Sequence, residues 1–108
     1  MERFAGPGDV MLTNVQRRVD AHKGDFGRLL VVGGSEVFSG APALVSLAAL
    51  RTGVDLVYLA APQKVAQTIS SMSPDLITIK LDCKNLKPSN LEEIKPYLSM
   101  VDAIVVGP

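Results

Sequence analysis

The sequence has one cysteine and one histidine, and each scarcity removes a class of chemistry. Cys83 alone cannot close an internal disulfide, which points to a reducing compartment, and Cys83 with His22 falls short of the ligands a structural zinc site needs. Charge of one sign is also missing. Eleven Lys and Arg balance eleven Asp and Glu, and no basic run exceeds the pair Arg17 and Arg18. No electrostatic footprint for nucleic acid or an anionic membrane surface is therefore expected. Long apolar runs are absent too: the stretch from Ala41 to Leu50 is about half of the ~20 residues that a spanning helix requires. The first thirty residues hold Arg3, Asp9, Arg17, Arg18 and Asp20 and contain no apolar core of a secretory signal. A soluble, cytoplasmic protein is the expectation.

What remains is 108 residues, 47% apolar and 20% charged, with a mean hydropathy of +0.26. That composition folds around a core, and that length makes one small domain or part of a larger one. Residues 1–21 show no sustained period and contain the turn-former Gly6-Pro7-Gly8-Asp9, so they read as a linker-like lead-in to a domain over 22–108.

From Arg28 the pattern changes. Leu29-Leu30-Val31-Val32 is a continuous apolar run closed by Gly33-Gly34, as a strand buried on both faces requires. Pro42 to Thr52, ended by Gly53, carries the punctuation of a helix; it is apolar nearly all round, so a second cover beyond the sheet is expected. Val54 to Ala60 reads as a second strand, and Pro62 opens a helix whose Val65, Ile69 and Met72 share a face. Leu76 to Leu81 alternates, with Thr78 and Lys80 on one side, as at a sheet edge. Ser89-Asn90-Leu91-Glu92 matches a capping box ahead of a third helix, which Pro96 should end or kink. Asp102 to Val106 reads as a fourth buried strand. Four strands alternating with three helices predict an α/β domain with a parallel sheet and right-handed crossovers. Because the last strand is followed only by Gly107-Pro108, the chain is expected to be a fragment of a larger sheet.

In such sheets ligands sit at the carboxyl ends of the strands, here the loops Gly33 to Ala41, Ala61 to Gln63 and Asp82 to Pro88 and the terminal Gly107-Pro108. The loop from Gly33 to Ala41 is rich in small residues and feeds a helix amino end, which suits an anion. It matches neither G-x-G-x-x-G nor the phosphate loop, since no lysine follows Gly40. Two glycines for a tight strand exit and Ser39 as a cap account for it equally well. The run His22-Lys23-Gly24-Asp25-Phe26-Gly27 gathers a base, a cation and a carboxylate, but it lies at the amino end of the first strand. A structural turn in which Lys23 and Asp25 satisfy backbone groups is the expectation there. Asp55 and Asp102, also at amino ends, are expected in solvated or turn roles, and Cys83 as an ordinary loop thiol. No nucleophile elbow or spaced acid pair is present, so no catalytic residue is assigned.

The segments His22 to Gly27, Leu29 to Ser35, Ser39 to Ala41, Ala49 to Gly53 and Val105 to Pro108, in this order and spacing, resemble the ADP/ATP-dependent NAD(P)H-hydrate dehydratases, a family of ribokinase-like fold. The resemblance implies repair of damaged coenzyme. The S epimer of hydrated NADH or NADPH would be dehydrated at the expense of ADP, or ATP in some members, with Mg2+, releasing AMP and phosphate. It places the family's hydrate-binding alanine on Ala41, beside Gly40, and the glycine of its Gly-Pro-Gly segment on Gly107. The later histidine, the nucleotide-binding stretch and the catalytic aspartate of the family have no counterpart in these residues. Glu2 to Asp9 is similar to the joint that follows an epimerase domain in bifunctional members. A homo-oligomer is also expected. Two other readings stand beside this one: a small-molecule kinase of the same superfamily, and a non-catalytic piece that self-associates through Pro42 to Thr52.

Overall fold

The computed structural model describes residues 16–107, so the Glu2 to Asp9 joint lies outside the described residues. Four strands, β1 (Arg28–Val32), β2 (Leu56–Pro62), β3 (Leu76–Leu81) and β4 (Ala103–Val106), alternate with α1 (Gly40–Thr52), α2 (Gln63–Ser70) and α3 (Leu91–Leu98), the last preceded by a 3-10 turn at Pro88–Asn90. The sheet order is β3-β2-β1-β4 and every pairing is parallel, with Val31 opposite Leu59 on one side and Val105 on the other. The α/β parallel sheet predicted from the alternating pattern is the fold observed.

Period-2 geometry sorts the central strands onto two faces. Val31, Val57, Leu59 and Ala61 pack with Ala43 of α1 and with Val65, Ala66 and Ile69 of α2. Leu30, Val32, Tyr58 and Ala60 face the opposite way and pack with Ile94 of α3. Both faces of β1 and β2 are therefore covered, which is why their apolar runs do not alternate. Each fully buried leucine among them, Leu30 and Leu59 included, contributes about 1.5–3 kcal/mol relative to an exposed one. The helix α1 ends as its sequence specified. Gly53 sits at φ 108°, its amide meets the Leu50 carbonyl, and the amide of Val54 reaches back to Ala49, which satisfies two orphaned carbonyls. Ser46, the one polar residue within the apolar stretch, is fully buried because its hydroxyl donates to the Pro42 carbonyl at 2.8 Å.

Several local expectations shift. β4 is not buried: it pairs only with β1 at the sheet edge, and all four of its residues are exposed, because no described element lies beyond it. β3 is the other edge, as Thr78 and Lys80 indicated. Pro62 closes β2 and caps α2 instead of opening it, and Met72 lies beyond the helix and is exposed. Ser39 precedes α1 without a side-chain cap, and α1 starts two residues ahead of Pro42. The capping box joins Lys87 and Asn90 at the 3-10 turn, two residues ahead of its expected place at Ser89, and Asn90 makes no side-chain cap on α3. The Asn90 carboxamide oxygen accepts the amide of Lys87 and its nitrogen donates to Glu93, whose other oxygen accepts the amide of Asp82, while Glu92 pairs with Lys95. Pro96 does not end α3, which runs on to Leu98.

The turns at the amino ends of the strands are organised by Asp55. Its carboxylate, 8% exposed, accepts the amides of Gly24 and Phe26 and the Arg17 guanidinium at 2.7 Å. Arg17 also donates to the Gly53 carbonyl and stacks over the Phe26 ring. Asp55 is thus no solvated residue. Asp25 satisfies a backbone group as expected, accepting the His22 amide; Lys23 makes no such bond among the described residues. Asp102 accepts the Arg28 amide and so fixes the start of the β1–β4 pairing.

The Phe26 amide, and next the Arg17 guanidinium, hold Asp55 below the usual carboxylate range, and the Asn90 and Asp82 hydrogen bonds do the same for Glu93. Depressed native-state values stabilise the fold above the unfolded pKa near 4 and lose that contribution as pH falls through the native value. A urea midpoint that is level from pH 7 to about 5 and drops below about pH 4 is expected, with a shallower acid limb in Asp55→Asn than in the wild type. Equal acid limbs in the two proteins would contradict this assignment.

Candidate functional site

The strand order reverses direction at β1. The connections β1–β2 and β2–β3 move outward on one side of it and carry α1 and α2 on one face, whereas β4 returns to the other side after α3 on the opposite face. A crevice at the carboxyl ends of β1 and β4 follows from that topology. Here Gly33 extends the ladder by donating to the Ala60 carbonyl, and Gly107 does the same to the Val32 carbonyl. The chain then turns at Gly34, φ 84°. A Cβ at that position would meet Pro42 Cγ at 3.2 Å and Val65 Cγ1 at 3.3 Å, so glycine is required on two grounds.

Beyond Gly34 the loop is fixed by its own bonds. The Ser35 amide donates to the Phe38 carbonyl and the Phe38 amide to Ser35 Oγ, while the Glu36 amide donates to the carbonyl of Lys84 in the neighbouring loop. The result is a cleft of about 370 Å³ lined by Gly33, Gly34, Ser35, Phe38, Ala41, Leu86 and Gly107. Ala41 and Gly107, singled out from the sequence, meet in this cleft; Gly40 is exposed beside it and is not among the lining residues. Phe38, Ser35 and Leu86 were not assigned from the sequence. An aromatic within an otherwise small-residue loop was the available signal for Phe38, whereas Leu86 arrives from a loop some fifty residues away.

No lining side chain carries charge. The cleft can therefore hold a neutral group and orient it, and it contains no base or acid to move a proton. A second hollow on the same edge, about 230 Å³, is bordered by Glu36, Lys64, Asp82, Cys83 and Lys84. Burial, and then the charge of Glu93, push the Cys83 thiol up, so it is protonated at neutral pH, in keeping with an ordinary loop thiol. His22 and Lys23 border a third hollow with Arg17 and Asp55 at the far pole of the sheet, as their place before β1 indicated.

Solved structures share this arrangement. A ribokinase-like superfamily protein of Enterococcus faecalis superposes with a TM-score of 0.76 at 20% identity, over 100% of this chain and 38% of that one. The ADP/ATP-dependent NAD(P)H-hydrate dehydratase of Bacillus subtilis, co-crystallised with ATP/Mg2+, does so with a TM-score of 0.64 at 18% identity, over 92% and 43%. With its parallel order and the crevice at β1 and β4, the fold is ribokinase-like. Among curated proteins, the bifunctional NAD(P)H-hydrate repair enzyme Nnr of Pyrobaculum aerophilum is 43% identical over 107 residues, which is 99% of this chain and 21% of that protein. The NAD(P)H-hydrate dehydratase family model matches residues 29–108, and the chain belongs to that family. It spans about a fifth of the length of the curated relatives it matches.

Proposed function

We propose that these residues form the substrate-holding rim of a coenzyme-repair domain, one that dehydrates the S epimer of hydrated NADH or NADPH with ADP or ATP as phosphate donor. The observation that carries this reading is the meeting of Ala41 and Gly107 in one uncharged cleft at the carboxyl ends of β1 and β4. The amino end of α1, with no acidic residue in its first turn, opens beside that cleft and suits the pyrophosphate of a dinucleotide. Ala41 and Gly107 would bear on the hydrated ring, with Gly40 keeping the approach to Ala41 clear.

Mg2+ is implied by the family, but its donor set is not here. Among the described residues no three His, Cys, Asp or Glu side chains gather, and the cleft lining has no carboxylate. The described residues do not fit the ion, and their part is to bind and orient the hydrate. Fusion to an epimerase domain through the lead-in is supported by the bifunctional relatives, and a cytoplasmic setting by the unpaired cysteine. Self-association through α1 is supported by Leu44, which stands 70% exposed on an apolar helix.

Isothermal titration with the S hydrate of NADPH tests the reading. Saturable binding is expected, weakened at least about tenfold by Ala41→Trp, whose side chain fills the cleft without touching the core. Unaltered affinity in Ala41→Trp would remove the cleft from the substrate path.

A further inference from the structure

The run His22 to Gly27 takes no part in the cleft, and what it encloses at the far pole of the sheet is a side chain from the lead-in. Gly24 and Phe26 turn their amides onto one oxygen of Asp55 at 2.9 and 3.0 Å, and the other oxygen takes Arg17 Nη1 at 2.7 Å. Arg17 Nη2 donates to the Gly53 carbonyl just past α1, and the guanidinium carbon stands 4.5 Å from the centre of the Phe26 ring. A carboxylate, a carbonyl and an aromatic face thus meet one planar fork. Lysine could not replace it, because an ammonium is a point charge with no face to stack. The frame leaves little play: Gly24 is at φ 105°, and a Cβ there would meet the Arg28 guanidinium at 2.6 Å. Asp55 is buried and Arg17 half-exposed, so the receptor belongs to the domain and the inserted group comes from outside it.

Among the described residues, the hydrogen bonds from the lead-in to the domain are both made by Arg17. Arg18 adds only an ion pair to Asp25 at 3.8 Å between exposed groups, which counts for little in water. Residues 18–21 otherwise bond among themselves, the Ala21 amide to the Arg18 carbonyl. A segment fastened at one point opens locally, at a free energy far below that of the buried strands. We propose that the His22–Gly27 run is a socket for Arg17, and that the seated Arg17 straps the lead-in to the amino pole, so that the preceding chain enters the domain at a fixed point on the side away from the cleft. The inference does not depend on what the cleft binds. Where an epimerase domain precedes the lead-in, the socket sets the point from which the linker departs.

The test is 15N relaxation on the whole chain as wild type, Arg17→Ala, Arg17→Lys, Phe26→Leu and Arg18→Ala. In the wild type, backbone order parameters at 17–21 are expected at about 0.8, as in the strands, and in Arg17→Ala they fall below about 0.6 while the strand values stay. Arg17→Lys and Phe26→Leu each keep part of the contact set and lie between these limits. Arg18→Ala matches the wild type, since its ion pairs are long and exposed. The Arg17 δ-methylene protons should be shifted upfield by the Phe26 ring in the wild type, and the shift is lost in Phe26→Leu. Proteolysis within residues 18–22 should be about tenfold faster in Arg17→Ala. Order parameters below about 0.6 at 17–21 in the wild type, or unchanged values in Arg17→Ala, would overturn the inference. Loosening of the strands along with the lead-in in Arg17→Ala and Arg17→Lys would also overturn it, because Arg17 would then hold the sheet and not a strap.

Discussion

Valine in place of Gly34 is expected to destabilise the fold by about 2–5 kcal/mol and to abolish ligand binding at the cleft. Two costs add. The backbone is at φ 84°, where an L residue loses roughly 1–2 kcal/mol, and more when β-branched. The new Cβ would also lie 3.2 Å from Pro42 and 3.3 Å from Val65, and both side chains are buried against the sheet. Overpacking of this kind costs about 1–3 kcal/mol, because the neighbours can yield only by moving α1 and α2 off the strands. Any relief displaces the start of α1, and with it Ala41, which couples the stability loss to the cleft. Gly34→Ala should show the same signs at smaller amplitude. Urea denaturation with calorimetric titration measures both effects, and a valine variant that melts like the wild type would show that this turn is not the constraint described.

Leu59→Ala is the second large effect, at about 2–5 kcal/mol. Leu59 is fully buried at the middle of β2, paired with Val31 on one side and Thr78 on the other, and packs in the cluster that holds Ala43, Val65 and Ile69. Deleting its branch leaves a cavity between a sheet and two helices that are pinned by other contacts, so the space cannot simply close. Domains of this size are stable by roughly 5–15 kcal/mol, and a fall in melting temperature of at least about 10 °C is expected. Leu44→Ala, at an exposed position of α1, is the control and should stay within about 0.5 kcal/mol. Similar melting temperatures for the two variants would mean that the cluster around Leu59 is not the core of this fold.

The cleft was legible in the sequence to the extent that a parallel α/β pattern fixes where ligands go. That rule brought Gly33 to Ala41 and Gly107 to one edge before any coordinate was known. It put the loop from Asp82 to Pro88 at the same edge as well, but it could not single out Leu86 within that loop, because the loop is tied to the cleft by the Glu36–Lys84 hydrogen bond and the Ser35–Asn85 bridge, contacts between segments that no local pattern links. For Asp55 the sequence left a solvated or a turn role open, and the structure decides for the turn role. Its partners Arg17, Gly24 and Phe26 are some thirty to forty residues upstream, and the sequence shows only an acid before a strand. The shift of the capping box to Lys87 and Asn90 involves a distant contact as well: the Asn90 carboxamide accepts the Lys87 amide and donates to Glu93, which in turn accepts the amide of Asp82.

By itself the amino-acid sequence determined the elements. Runs of adjacent apolar residues make strands that must be covered on both faces, and Gly53 and Gly34 mark where the backbone takes positive φ, since these preferences act within a few residues. Only the tertiary structure decided which strands lie at the edges of the sheet formed by the described residues, where β4 is exposed although it reads as buried. It also decided that Phe38 and Leu86, from loops far apart in the sequence, line one cleft with Ala41 and Gly107. Strand order and loop-to-loop contact arise from closing long stretches of chain, and the free energy that selects them is spread over the whole core instead of being written at any one position.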